Sequence, residues 1–105
     1  MEASLQITMQ NVPPSEALAV RIRKSLAKLE HVHRHVTSCR VAVDEVDKHQ
    51  RQGREFRVRV EVRARGHADA VSTFHQHEDV YVALRDAFLS VKRQLQEAQP
   101  DRRSA

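Results

Sequence analysis

Along the first ten residues Leu5, Ile7 and Met9 alternate with Gln6, Thr8 and Gln10. Apolar side chains at every second position mark a strand with one face buried. Pro13-Pro14 interrupts regular structure, and the Ser15 hydroxyl can then accept an orphan backbone N–H as a helix cap. Leu18, Ile22, Leu26 and Leu29 follow at helical spacing, so a helix is expected over about 16–31. Cys39, Val41 and Val43 alternate with Arg40, Ala42 and Asp44, which predicts a second strand. The polar stretch 45–55, with Gly53, reads as a loop or an extended hairpin tip. Phe56, Val58, Val60, Val62 and Ala64 alternate with Arg57, Arg59, Glu61, Arg63 and Arg65, a third strand with one apolar and one charged face. After a turn at 66–69, residues 70–76 read as a fourth strand of ambiguous register. Val71 and Phe74 cannot both point inward without a bulge. Glu78 and Asp79 are expected to open a second helix, their charge suited to its dipole. Val80, Leu84, Ala87, Phe88, Val91 and Leu95 form its apolar stripe, and Pro100 stops it.

The order β-α-β-β-β-α predicts an α+β fold: a four-stranded mixed sheet with two helices on one face. The first two strands, joined by a helix, are expected to be parallel. Residues 1–99 read as a single domain and 100–105 as a flexible tail. The sheet's other face is left open and carries Arg40, Asp44, Arg57, Arg59, Glu61 and Arg63.

Composition removes several classes of function. At 105 residues there is room for one core only. No apolar run approaches a membrane span, and the N-terminus has no secretory pattern. One cysteine excludes an internal disulfide framework and fits a reducing compartment, so a cytoplasmic location is expected. Two glycines leave no Gly-rich phosphate loop. Lys and Arg number 18 against 14 Asp and Glu, a formal charge of +4, with the basic excess in residues 12–65. That leans toward an anionic partner. Four aromatic residues are too few for a base-stacking platform.

The segment Gln6-Ile7-Thr8-Met9-Gln10-Asn11-Val12-Pro13-Pro14-Ser15-Glu16-Ala17-Leu18 resembles the opening of the bacterial ribosome hibernation-promoting factors. Leu26-Ala27-Lys28-Leu29-Glu30 is similar to the end of their first helix. Glu78-Asp79-Val80-Tyr81-Val82-Ala83-Leu84 and Arg93-Gln94-Leu95 are similar to the two ends of their second. The resemblance runs from about Leu5 to Gln96. It implies a fold like that of double-stranded-RNA-binding domains and a non-enzymatic protein without cofactor, metal or small-molecule substrate. Its implied partner is the small ribosomal subunit and its rRNA, bound in the channel used by messenger and transfer RNA, so that translation is inhibited. A chain of this length resembles the short members, which lack a C-terminal dimerisation domain. It departs from the family's usual residues at Met9, Ser25, Ser90 and Glu97-Ala98-Gln99.

Arg21, Lys24 and Lys28 share one flank of the first helix, and Arg85 and Lys92 one flank of the second, with Arg93 further round. Patterning alone makes these ordinary solvated faces. The resemblance turns them into candidate rRNA contacts beside a groove between the helices. Arg57, Arg59 and Arg63 on the third strand are candidate phosphate contacts on a second surface, or else solubilising residues paired with acids such as Asp44. Three readings stay open: the ribosome-associated factor, a diverged paralogue acting as a protein-interaction module without ribosome binding, and a generic duplex-RNA binder. His31, His33, His35, His75 and His77 alternate in short runs without carboxylate or thiol partners at ligand spacing, so no metal site is expected. Their charging as pH falls toward ~6.5 is expected to tighten any RNA contact. No nucleophile or acid–base pair has a catalytic context, and Cys39 reads as a small buried strand residue.

Overall fold

The computed structural model describes residues 3–47 and 53–97. Six elements follow in the order β1 (Ser4–Gln10), α1 (Glu16–Val32), β2 (Val36–Asp47), β3 (Arg54–Ala64), β4 (Val71–His77) and α2 (Val80–Glu97). The sheet order is β1-β2-β3-β4, with β1 and β2 parallel and the other neighbours antiparallel. This is the predicted α+β architecture, and both helices lie on one face. α2 covers β3 and β4, while α1 packs against α2 and β2. The tail predicted at 100–105 lies outside the described residues.

The core is the meeting of the two helical stripes with the inward positions of the strands. Leu18, Ile22, Leu26 and Leu29 of α1 and Leu84, Phe88, Val91 and Leu95 of α2 are all buried. They rest on Cys39, Val41 and Val43 of β2 and Val58, Val60 and Val62 of β3, none more than 1% exposed. On β1, Leu5, Ile7 and Met9 face the same core but are only half-buried, as befits an edge strand.

The structure decides three points. Residues 45–47 and 54–55 are paired strand, the extended-hairpin alternative rather than the loop, in the register Glu45↔Phe56, Val46↔Glu55 and Asp47↔Arg54. Arg54 reaches Glu45 at 2.8 Å and Asp47 at 3.7 Å, so cross-strand ion pairs rather than apolar alternation accompany this end of the ribbon. The second, a correction, concerns α2, which begins at Val80 and has no acid in its first turn. Asp79 is its cap: the Tyr81 N–H donates to Asp79 Oδ1 at 2.9 Å, and the N–H groups of Val82 and Ala83 donate to the Asp79 carbonyl. The third is the register of β4, where Val71 and Thr73 are buried and Phe74 is turned out, 54% exposed. No bulge is needed, because Val62↔Val71 through Phe56↔His77 pair without a slip. Among the described residues the sheet's register shifts in β2, between Val36 and Ser38.

Candidate nucleic-acid interface

The α1 cap sets the position of its charged flank. The Leu18 N–H donates to Ser15 Oγ at 3.2 Å, which starts the helix at Glu16 as expected. With Leu18, Ile22, Leu26 and Leu29 turned to the core, helical geometry carries Arg21 and Lys28 to the side nearest α2. The same reasoning places Arg85 and Lys92 on the facing side of α2. The two pairs line a groove of about 460 Å³ between the helices. Its floor and walls include Leu29, Val32, Tyr81, Leu84, Phe88 and Leu89, and among the described residues no carboxylate lines it. Each pair is seven residues apart, roughly 10 Å along its helix.

Of the six helix cations expected at the site, the structure therefore brings together Arg21, Lys28, Arg85 and Lys92, and leaves Lys24 and Arg93 outside the groove. The Arg21 guanidinium sits over the Tyr81 ring, 4.9 Å from its centroid, which bridges the two helices by a cation–π contact. Arg85 is partly offset by Asp86 at 3.2 Å. Lys28 and Lys92 have no ion pair among the described residues. Ser25 lines the same groove and donates its hydroxyl to the Arg21 carbonyl at 2.9 Å. Tyr81, Val32 and Leu89 were not legible as site residues. Val32 and Leu89 are 52% and 56% exposed, and only an exposed apolar residue beside a cationic flank would have signalled them.

The strand arginines project from the opposite side of the molecule, and the structure divides them. Arg57 is held by Asp44 at 2.9 Å, and Arg40 lies 3.9 Å from Glu61. Asp44 also accepts a hydrogen bond from Asn11 Nδ2 at 3.0 Å. The Asn11 and Arg57 hydrogen bonds together hold its carboxyl below the usual carboxylate range. Asn11 reaches Asp44 from a left-handed turn, φ 57°, that ends β1. Arg59 and Arg63 have no ion pair among the described residues. Two cations of this face are thus bound to acids, and two are available.

Among the described residues no three His, Cys, Asp or Glu side chains are grouped to hold a metal ion. None of the described helices is long and apolar enough to cross a membrane. Cys39 is buried, and burial, followed by the nearby Glu30 charge, pushes its thiol up to about 12. His33 follows the end of α1, its N–H donating to the Leu29 carbonyl at 2.8 Å. Its Nε2 is buried without a hydrogen-bond partner. Burial, then the charges of Lys92 and His67, lower its pKa from the ordinary 6.5. The expectation that the histidines charge readily near pH 6.5 therefore fails at His33.

The family model described as sigma 54 modulation protein / S30EA ribosomal protein matches residues 5–103. The chain belongs to this family. It is the hibernation-promoting factor family that the segments around Gln6–Leu18 and Glu78–Leu84 resemble, and membership marks the protein as a ribosome-associated factor of bacterial type. Solved structures agree on the fold. A ribosomal subunit interface protein from Coxiella burnetii superposes with a TM-score of 0.74 at 17% identity, covering 90% of this chain and 94% of that one. The N-terminal domain of Thermus thermophilus Protein Y gives a TM-score of 0.71 at 19% identity, covering 90% and 96%. No protein with a curated description matches by sequence. The two helices and the sheet of this family member thus form a fold shared with both structures.

Proposed function

We propose that the protein is a hibernation factor that binds the rRNA of the small ribosomal subunit at the decoding channel and excludes messenger and transfer RNA. The observation that carries this reading is the acid-free groove flanked by Arg21, Lys28, Arg85 and Lys92 in a member of a ribosome-associated family. A concave surface with cations on both rims concentrates positive potential, and a phosphate backbone entering it releases counterions. The mechanism is steric and electrostatic, with no bond made or broken: occupation of the channel is itself the inhibition. The cytoplasm is the compartment where that target resides.

The test is co-sedimentation of the purified protein with small subunits at low salt. The parent should pellet with them, and Lys28→Glu combined with Lys92→Glu should weaken binding by roughly tenfold or more. If all four groove cations contact phosphate, affinity should fall by roughly a hundredfold between about 50 and 200 mM salt. A folded double variant that binds as tightly as the parent would overturn the groove's role. A parent that ignores small subunits at low salt would leave the protein-interaction reading in its place.

A further inference from the structure

The open sheet face holds an aromatic residue that the groove does not use. Phe74 is 54% exposed at the middle of β4. A lone exposed phenylalanine carries no meaning; its surroundings here do. The Arg57 guanidinium lies 5.8 Å from the ring centroid. Arg57 is fixed by Asp44, and Asp44 by Asn11. A chain of contacts therefore runs across all four strands, from the turn after β1 to the Phe74 ring on β4. Arg57 is accordingly a positioning residue, its charge spent on Asp44.

Arg59 is the direct cross-strand neighbour of Phe74 and is not paired with an acid among the described residues. Arg63 stands four residues along the same face, roughly 13 Å away. The acids of the face are already engaged: Asp44 with Arg57, Glu61 with Arg40, and Glu55 with the Gln76 amide at 2.8 Å. Beside Arg59 lies a depression of about 330 Å³ bordered by Gln6, Thr8, Ala42 and Ser72 and by the Arg40–Glu61 pair. A flat, exposed ring with the unpaired Arg59 beside it, Arg63 further along the strand and a polar hollow alongside is what an unpaired nucleotide requires: a stacking surface for the base and cations for its phosphates. Duplex RNA offers its phosphates but no free base face.

We infer that this sheet face binds a short single-stranded stretch of RNA, with one unpaired base stacked on Phe74 and the flanking phosphates on Arg59 and Arg63. The inference rests on the reading of the protein as an RNA binder, and adds a second, chemically distinct contact on the side opposite the helix groove. It gives the protein two separate contacts with RNA, one on each side of the sheet.

The experiment uses the full chain and an unstructured 12-nucleotide RNA with 2-aminopurine at one position, at low salt. Stacking on Phe74 should change the probe's fluorescence. Phe74→Ala should abolish that change and weaken binding by roughly five- to a hundredfold. Phe74→Tyr should restore both, and Arg59→Gln with Arg63→Gln should weaken binding and reduce its salt dependence. Lys28→Glu with Lys92→Glu should leave the probe's fluorescence change at saturation in place, because stacking on Phe74 does not involve the groove, so the two surfaces are told apart. Circular dichroism checks that each variant is folded. The inference is overturned if the parent does not bind the oligonucleotide, or if Phe74→Ala binds it like the parent. It is equally overturned if the parent sediments as a dimer that Phe74→Ala converts to monomer, since the patch is then a self-association surface. Small-subunit binding that persists in any of these cases leaves the groove reading standing.

Discussion

His33 shows how one side chain can invert an expectation. Histidines were expected to take up charge near pH 6.5, but the fold buries His33 Nε2 without a partner and sets Lys92 and His67 nearby. The folded state therefore prefers the neutral ring, and its pKa lies below that of the unfolded chain. Stability from this group is fully present above about pH 6.5 and is lost as pH falls from there toward the folded pKa. Urea midpoints measured from pH 7.5 to 5.5 should decline, and His33→Gln should flatten the decline. Cys39 makes a second residue-scale prediction. A thiol that is buried and raised to about 12 is almost never a thiolate at neutral pH. A thiol reagent should leave it unmodified in the native protein and label it fully in denaturant. Phe88 closes the core from α2, 7% exposed, and Phe88→Ala should cost ~3–5 kcal/mol by chemical denaturation.

The elements owe their boundaries to a few polar residues. Ser15 caps α1 and Asp79 caps α2, each accepting an N–H two or three residues on. Ser15→Ala and Asp79→Ala should each lower stability by about 1 kcal/mol in urea denaturation, with retained fold by circular dichroism. The α1 boundary was legible because Pro13-Pro14 and Ser15 precede an apolar stripe of clear phase. At α2 the two successive acids blurred the boundary: Glu78 and Asp79 both suit a helix dipole, and only the hydrogen bonds show that Asp79 is the cap. For β4 the alternation of Val71, Thr73 and His75 competed with the size of Phe74. A polar threonine facing the core and a phenylalanine facing out is the arrangement hydrophobicity argues against. Pairing with β3 decides it, because an unbroken ladder from Val62↔Val71 turns Phe74 out with its partner Arg59.

At the scale of the whole molecule, two cationic surfaces sit back to back, one between the helices and one on the open sheet. They share no residue, so changes to the groove and to the sheet face should add in free energy when both are combined and small-subunit binding is measured. Strong coupling would mean one surface acts through the other. What the sequence by itself determined is the element order, the core stripes of both helices and the sides on which their charges fall. These follow from periods of 2 and 3.6 residues that chemistry imposes on a half-buried chain. Only the tertiary structure decided which charges are available. Lys28 and Lys92 meet across a groove because two helices pack side by side, whereas Lys24 and Arg93, one step further round, face away from it. Arg57 is taken by Asp44, and Arg59 is left beside Phe74, because strand register sets the partners. Register comes from pairing between distant segments and from the shift near Val36, and no local pattern of residues encodes it.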